Sequence, residues 1–176
     1  MIRKIIGFAV IILAFSLLFG CSEDIEKIVV LKTYPLDKID GVISRDDVEI
    51  DDEISSDGKG SLKITADDER VVEIYETGDI DIEEATLIYR AKIKTEDLEG
   101  QAYLQMLAVF TGKGEFFSKG LPHAKTGTND WSTVQTSFFL QKDQNPDNIK
   151  LQVVITGEGT VWIDNIEILR APLKEM

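Results

Sequence analysis

Period-two alternation of apolar and polar residues is the feature that most constrains the fold of this chain. In residues 87–93, every second side chain from Leu87 to Ile93 falls on one face of an extended segment, and Arg90 falls on the other. Successive side chains of a β-strand point to opposite faces, so this pattern predicts strands with one buried face. The predicted strands are residues 48–50, 61–65, 72–76, 87–93, 102–110, 133–140, 149–156 and 160–169.

Clusters of glycine, proline, aspartate and asparagine separate these segments at short intervals. They occupy residues 57–60, 77–79, 112–114, 145–147 and 157–159. Glycine accepts positive φ angles, and aspartate and asparagine hydrogen-bond to nearby backbone, so these clusters predict turns. No long amphipathic helical pattern interrupts the strands. We therefore predict an all-β chain, an antiparallel β-sandwich with the roughly eight strands of a jelly roll.

The first 20 residues differ in composition from the rest of the chain. Arg3 and Lys4 precede an almost wholly apolar stretch, residues 5–19, which ends at Gly20 and Cys21. This layout is typical of a cleaved export signal. A membrane-spanning helix needs about 20 apolar residues, so a permanent transmembrane anchor is the weaker interpretation.

The end of this signal resembles the lipobox of bacterial lipoproteins. Residues 18–21, Leu-Phe-Gly-Cys, place an apolar residue, a variable one and a small one before the cysteine. The resemblance implies that residues 1–20 are a signal peptide and that Cys21 is acylated, which anchors the chain in a lipid bilayer because several acyl chains hold a protein stably. Cys21 is the only cysteine and has no intramolecular disulfide partner. An ordinary secretory signal followed by a chance cysteine is the alternative.

The same resemblance predicts a location in the cell envelope. Ser22 follows the cysteine where an aspartate would resemble an inner-membrane retention signal, so the outer membrane is favoured if the host has one. Residues 21–33 are predicted to be the lipidated cysteine and a tether, because apolar residues are scattered there among polar ones. Residues 34–176 have a length that suits one sandwich domain.

The chain is strongly acidic. Its formal charge is −13, and removing residues 1–20 takes away two cations and no acid, which leaves −15. Such a surface repels nucleic acid and anionic lipid headgroups, so a nucleic-acid partner is excluded. Most of the excess acid lies before residue 100, where calcium binding, a cationic partner and simple solubility are all open interpretations.

Three segments of the chain follow one another in a distinctive order. They are Ser-Asp-Gly-Lys-Gly-Ser-Leu-Lys-Ile at 56–64, Trp131 after a Gly-Thr-Asn-Asp loop, and Gly-Thr-Val-Trp-Ile-Asp-Asn-Ile at 159–166. This order resembles galactose-binding-like jelly rolls, among them the carbohydrate-binding modules of families 4, 9, 16 and 22. The resemblance covers about residues 34–170 and implies a β-sandwich that binds glycans. Through residues 114–118 the chain also resembles a group of uncharacterised exported bacterial proteins.

Enzyme chemistry finds little support in the sequence, and we predict that the chain is not an enzyme. His123 is the only histidine, and no serine lies in a Gly-x-Ser-x-Gly motif. A zinc site needs three or four clustered nitrogen and sulfur ligands, which this chain cannot supply. Residues 112–114, Gly-Lys-Gly, lack the end of a phosphate-binding loop and are predicted to connect a hairpin.

Four outward-facing residues form the predicted ligand site. If the apolar set in strands 87–93 and 102–110 faces the core, the opposite face carries Arg90, Tyr103 and Gln105, and Gln152 is the analogous residue on a later strand. A jelly roll with the usual strand order would place all four in one groove. An aromatic face with amide and guanidinium donors suits a sugar, whose C–H patches stack and whose hydroxyls need donors and acceptors. The alternative is an ordinary solvated face.

A structural or protein-interaction lipoprotein of the cell envelope, without a sugar ligand, is the alternative function. Phe116 and Phe117 are consecutive, so in a strand only one of them can face the core. Either one is exposed, which would suit a protein partner, or the loop bends to bury both. Trp131 and Trp162 are interpreted as packing residues rather than sugar platforms.

A structural calcium ion is the one cofactor that the sequence predicts. In the families that this chain resembles, the acid in the position of Asp164 often ligates calcium together with backbone carbonyls. Residues 51–60 supply acids and glycines that could bend around an ion that wants six to eight oxygen ligands. The alternative is that Asp164 caps a turn by accepting backbone N–H groups.

Overall fold

The computed structural model describes residues 27–173, and nearly all of them lie in or between β-strands. The elements are β1 (Val29–Tyr34), β2 (Val48–Asp51), β3 (Ser61–Ala66), β4 (Glu69–Gly78), β5 (Ala85–Phe110), β6 (Gly114–Lys119), a 3-10 turn (Leu121–His123), β7 (Lys125–Leu140), β8 (Asn148–Thr156) and β9 (Gly159–Pro172). All strand pairs are antiparallel. Within residues 27–173 no helix is long and apolar enough to cross a membrane.

Strand β5 is 26 residues long and bends in its middle. Asp97 and Gly100 have positive φ angles of 49° and 102° at the bend. The turn between β8 and β9 lies against it, since a Cβ atom on Gly157 would be only 1.6 Å from the Glu99 carbonyl oxygen. Only glycine fits at Gly157, because any side chain would collide with backbone that cannot move away.

The bend divides the sheet into two layers. Residues 85–96 of β5 pair with β9 and β7, and β9 continues through β3 to β2 and also pairs with β1; we call these strands the first layer. Residues 102–110 of β5 pair with β8 and β6, and β8 continues to β4; these strands are the second layer. The whole is one nine-stranded sheet folded over on itself.

Side-chain contacts close the two layers along both sides. On one side, Tyr34 of β1 stacks on Tyr75 of β4 with ring centroids 4.1 Å apart. On the other, the Ser118 hydroxyl of β6 lies 2.6 Å from that of Thr136 and donates to the Ser137 carbonyl of β7 at 2.8 Å. These contacts protect the edges of the sandwich, which would otherwise expose unpaired backbone groups.

The hydrophobic core lies between the layers and takes every second residue of the central strands. Each large aliphatic side chain buried there contributes about 1.5 to 3 kcal/mol. From the first layer come Leu62, Ile64, Leu87, Tyr89, Ala91, Ile93, Val161, Ile163, Ile166 and Ile168, and from the second Val72, Ile74, Leu104, Met106, Ala108, Ile149, Leu151, Val153 and Ile155.

The predicted all-β fold is confirmed, and all eight predicted strands are present. The hairpin at residues 112–114 is also observed, with the Lys113 amide donating to the Phe110 carbonyl at 2.9 Å. Strands β1 and β6 were not predicted. Strand β1 begins at Val29, inside the segment 21–33 that was assigned to the tether. It was missed because its first three residues are all apolar and show no alternation. The predicted signal peptide and Cys21 lie outside the described residues.

Candidate functional site

A row of polar side chains crosses the outer face of the second layer. Cross-strand register aligns Glu73, Gln152, Gln105 and Lys119, one residue from each of its four strands. The Gln105 side-chain amide donates to Oε1 of Gln152 at 2.8 Å, and the Gln152 amide donates to Oε2 of Glu73 at 3.4 Å. Strand alternation predicted that both glutamines face outward, and the structure brings them together as hydrogen-bonded neighbours.

Phe117 lies beside this row on the same face. It pairs with Leu107, one step along β5 and β6 from Gln105 and Lys119, and 64% of its surface is exposed. The Lys119 ammonium lies 5.1 Å from the centre of the Phe117 ring, within the range of a cation–π contact. We call Glu73, Gln152, Gln105, Lys119 and Phe117 the amide face. The sequence left open whether one of Phe116 and Phe117 is exposed or both are buried. Both are exposed, by 51% and 64%, and the register with Leu107 places Phe117 on the outer face of this layer.

Tyr103 belongs to the next row of the same surface. It pairs with Val154, which in turn pairs with Val71 of β4. Tyr103 is 6% exposed although it lies outside the hydrophobic core cluster. Little of its ring can therefore stack on a ligand, and Phe117 is the aromatic platform that this surface offers.

An ion pair borders the amide face on the side away from Tyr103. The Lys150 ammonium lies 3.2 Å from Oε1 of Glu115, reaching across β5 to β6. A hydrogen bond to Glu115, and then the charge of the same carboxylate, raise the pKa of Lys150. The pair keeps both charges at the border of the face rather than at its centre.

Arg90 lies elsewhere, and this corrects the predicted single groove. It belongs to the half of β5 in the first layer and pairs with Gln135 and Glu167 on that layer's outer face. Its guanidinium donates to the Gln135 side-chain oxygen at 3.2 Å and lies 3.9 Å from the Glu167 carboxylate. The bend at residues 97–100 places the outer face of this half of β5 on the opposite side of the sandwich from Gln105. Arg90 instead lines a hollow of about 350 Å³ with Thr33, Lys92, Thr133, Asn165 and Glu167.

Asp164 is fully buried at a bulge in β9. Its two carboxylate oxygens accept hydrogen bonds from the backbone amides of Ser56 and Asn165, at 2.8 and 2.7 Å. Asn165 has a positive φ of 48° and donates its side-chain amide to the Ser56 hydroxyl at 2.9 Å. Asp164 therefore holds the loop between β2 and β3, which is the capping role that the sequence left as an alternative.

The surroundings of Asp164 also bear on the predicted calcium ion. Burial raises the pKa of Asp164, although the hydrogen bonds from Ser56 and Asn165 oppose the rise. The segment containing Asp37 passes beside it, since the Asn165 amide donates to the Pro35 carbonyl at 3.4 Å, and Oδ1 of Asp37 is buried without a hydrogen-bond partner among the described residues.

The buried Asp164 carboxylate and the buried Oδ1 atom of Asp37 are oxygen ligands of the kind that a hard cation prefers. Within residues 27–173 no three acidic, histidine or cysteine side chains are grouped closely enough to hold a metal by themselves, so backbone carbonyls would have to complete the ligand set. Calcium at Asp164 therefore stays a prediction.

The two tryptophans and the single histidine complete the candidate residues. Trp162 is buried on the outer face of the first layer and donates from Nε1 to the Asp51 carboxylate at 2.9 Å, which agrees with a packing role. Trp131 is half-buried. His123 is exposed at the end of the 3-10 turn.

No protein-family model and no curated protein sequence matches this chain. Solved structures do. The CBM22-1 xylan-binding domain of Paenibacillus barcinonensis Xyn10C superposes with a TM-score of 0.61 at 15% identity, over 85% of this chain and 99% of that domain. The CBM22-1 and GH10 modules of Clostridium thermocellum xylanase 10B, solved with xylohexaose, give a TM-score of 0.62 at 12% identity, over 80% of this chain and 28% of that one.

A third structure extends the similarity beyond family 22. The family 30 carbohydrate-binding module of the Clostridium thermocellum cellulase Cel9D-Cel44B gives a TM-score of 0.52 at 14% identity, over 81% of this chain and 92% of that module. A family 16 module matches with a TM-score of 0.50. At these identities the similarity concerns the fold, and it confirms the predicted resemblance to families 16 and 22. The chain has a jelly-roll β-sandwich fold similar to that of these modules.

Proposed function

We propose that this protein is a lipoprotein of the cell envelope, tethered through acylated Cys21, whose β-sandwich binds a glycan on the amide face without catalysing a reaction. The observation that carries the proposal is the hydrogen-bonded row of Glu73, Gln152 and Gln105 beside the exposed ring of Phe117. The outer membrane is the proposed location if the host has one.

The chemistry of this face suits a saccharide. The partly exposed Gln105 amide can donate to and accept from sugar hydroxyls, which also do both. Gln152 is only 8% exposed, and it holds the Gln105 and Glu73 side chains in place by hydrogen bonds to both. The C–H face of a pyranose ring packs against an aromatic ring, and Phe117 presents one. Glu73 and Lys119 add charged partners, whose hydrogen bonds are roughly twice as strong as neutral ones.

The two carboxylates on and beside the amide face, Glu73 and Glu115, fit a binding role without catalysis. Glycoside hydrolysis needs two carboxyl groups that flank the scissile bond. Here Glu73 accepts a hydrogen bond from Gln152, and Glu115 is paired with Lys150. Both carboxylates are thus already engaged in fixing the side chains of the surface.

The similar modules suggest the first ligand class to examine. One is named for xylan binding and another was solved with xylohexaose. We propose a β-linked neutral polysaccharide of this kind, because a surface with formal charge near −15 repels acidic glycans.

Binding of xylohexaose and of a glycan array to the chain from Ser22 onward tests this function. Phe117→Ala should weaken binding about tenfold, since an aromatic contact is worth about 0.5 to 1.5 kcal/mol beyond the apolar area that it buries, and about 1.4 kcal/mol is a factor of ten. Phe116→Ala is the matched control, because Phe116 is similarly exposed, 51%, and faces the other side of β6. Failure to bind any saccharide would refute the glycan proposal, and equal effects of the two variants would refute the chosen face.

An interaction with an envelope protein is the second candidate function. Phe116 and Phe139 are both exposed and border an apolar cleft of about 210 Å³ between β6 and β7, which Phe110, Phe138 and Leu140 also line. Loss of a co-purifying envelope protein in Phe116→Ser, with saccharide binding absent in the wild type, would favour this function.

A further inference from the structure

The seam between β6 and β7 is closed at one point and open beside it. The Ser118 and Thr136 hydroxyls close it, 2.6 Å apart. Two residues along β6, Phe116 pairs with the core residue Ala108, and cross-strand partners face the same side of a sheet. Among the described strands, β6 and β7 each pair only with β5. Phe116 therefore faces inward yet stays 51% exposed, because no further strand covers it.

The open part of the seam is an apolar cleft of about 210 Å³ with mostly phenylalanine walls. Phe110 and Phe116 meet edge to face there, with ring centroids 5.8 Å apart and ring planes at 73°. Phe139 is 51% exposed at the rim, whereas Leu140 is buried. Exposed apolar side chains grouped around a hollow mark binding grooves. The phenylalanine cleft is our name for the hollow lined by Phe110, Lys113, Phe116, Phe138, Phe139, Leu140 and Gln144.

Two polar side chains line the phenylalanine cleft, and neither is acidic. The Lys113 ammonium donates to the Asp143 carbonyl at 3.4 Å and forms no ion pair within residues 27–173. The Gln144 side-chain oxygen accepts from the Gln141 backbone amide at 2.8 Å, so its NH₂ group is the part that can meet a ligand. An ammonium and an amide donor beside apolar walls favour an anion with an apolar body.

The acids nearest to these groups in sequence are engaged by other partners. The Glu115 carboxylate lies 3.2 Å from the Lys150 ammonium. The Glu83 carboxylate accepts a hydrogen bond from the Asp143 backbone amide at 2.6 Å. Neither carboxylate lines the cleft, so an anion at Lys113 meets no acid in the wall although the chain as a whole is acidic.

We propose that the phenylalanine cleft binds a small aromatic carboxylate, with its ring among the phenylalanines and its carboxylate at Lys113. The volume sets the size of the ligand. An apolar cavity of about 150 Å³ holds one benzene molecule, so a cleft of about 210 Å³ accepts one ring with a short acidic arm and is too small for a long acyl chain. Rings prefer edge-to-face contacts, and a third ring can extend the pair of Phe110 and Phe116.

This site is separate from the amide face and depends neither on glycan binding nor on the acylation of Cys21. It assigns a small ligand to the cleft that the second candidate function offers to a protein. The concave shape and the lysine at its wall favour the small acid.

Saturation-transfer difference NMR with 3-phenylpropionate tests the inference on the full chain as cells make it, in phosphatidylcholine nanodiscs if it is acylated. Empty nanodiscs give the blank for partition into lipid. We expect a saturable signal that is strongest for the ring protons. Phe116→Ala and Phe139→Ala should each weaken binding about fivefold, the size expected for loss of one aromatic contact. Phe117→Ala is the matched control and should bind like the wild type, because Phe117 lies on the opposite face of β6.

The carboxylate contact is tested with 3-phenylpropanamide, which keeps the ring and lacks the charge. Lys113→Met should weaken binding of 3-phenylpropionate about threefold, the size expected for a partly exposed ion pair. The affinity for 3-phenylpropanamide should be the same in both proteins. Hexanoate, an aliphatic acid of the same charge, should bind the wild type more weakly than 3-phenylpropionate does.

Four outcomes would overturn the inference. They are no saturable signal above the blank, equal weakening by Phe116→Ala and Phe117→Ala, no effect of Lys113→Met on the acid, and hexanoate binding as tight as that of the aromatic acid. Xylohexaose binding to the same proteins reports on the amide face alone. Failure of the glycan proposal is thereby distinguished from failure of this one.

Discussion

Gln105 and Gln152 face each other across β5 and β8, and the Nε2 group of Gln105 donates to Oε1 of Gln152 at 2.8 Å. Within residues 27–173 no group donates to the Gln105 side-chain oxygen, which can therefore accept from a ligand, while the Gln152 amide donates to Glu73. The side chains of Gln105 and Gln152 are already fixed by these hydrogen bonds. They therefore lose little conformational entropy when a ligand binds.

Gln152→Ala should weaken saccharide binding about tenfold, whereas Arg90→Ala should leave it unchanged. The reason is that the bend in β5 puts Arg90 on the opposite layer, where it pairs with Gln135 and Glu167. Titration calorimetry with the best saccharide from the array measures both affinities. If Arg90→Ala weakens binding and Gln152→Ala does not, the ligand occupies the hollow on the first layer.

Calcium should raise the melting midpoint of the wild-type domain, and Asp164→Ala should abolish that rise. Burial raises the pKa of Asp164 above 3.8. Between pH 3.8 and the folded-state pKa, the folded state therefore binds more protons than the unfolded state. Stability therefore falls from pH 3.8 up to the folded pKa, and ionised Asp164 remains a cost at neutral pH. A bound cation would offset this cost, by about 2.7 kcal/mol at a calcium concentration of one hundred times the dissociation constant.

Thermal melts with calcium and with chelator decide the question. Asp52→Ala, an exposed acid in the same loop, is the control and should keep the calcium response. A wild-type midpoint that is the same in calcium and chelator would remove Asp164 as a calcium ligand.

Tyr89→Phe should stabilise the domain by about 1 kcal/mol and raise its midpoint by about 3 °C. The Tyr89 hydroxyl is fully buried and has no hydrogen-bond partner among the described residues. It loses its hydration on folding without gaining a hydrogen bond, and Tyr89→Phe removes that cost. Burial also raises the pKa of Tyr89 far above 10, so above pH 10 the unfolded state loses a proton that the folded state keeps. Wild-type stability then falls with rising pH, and the variant should fall less steeply.

Urea denaturation at pH 7 and pH 11 measures both effects. In both proteins the free energy of unfolding still falls somewhat above pH 10, because burial raises the pKa of Tyr75 as well. A Tyr89→Phe protein that is less stable at pH 7 would show that the hydroxyl has a partner, such as an internal water.

Cys21→Ala should abolish lipidation and leave unprocessed or released protein. Cys21 is the only thiol that can be acylated at the end of the predicted signal. Detergent-phase partitioning of cell extracts separates the two forms. Wild-type protein found wholly in the aqueous phase would contradict the anchor, whatever the domain binds.

The sequence alone was sufficient to predict the class of fold and the faces of the central strands. Alternation from Leu87 to Ile93 and from Leu104 to Ala108 assigned the core side correctly, because the twofold period of a strand is a local property. The same parity placed Gln105 and Gln152 on an outer face. It did not find β1, where Val29, Val30 and Leu31 show no alternation.

Only the tertiary structure decided which outer residues share a surface. Arg90 and Gln105 lie on one continuous strand, yet the positive φ angles at Asp97 and Gly100 turn that strand from one layer to the other. Likewise, the register of β6 against β5 selects Phe117, not Tyr103, as the exposed ring beside the glutamines. The face on which a side chain lies depends on its position in a local alternating pattern. Strand pairing and layer depend instead on contacts between residues far apart in the chain, which the local pattern does not specify.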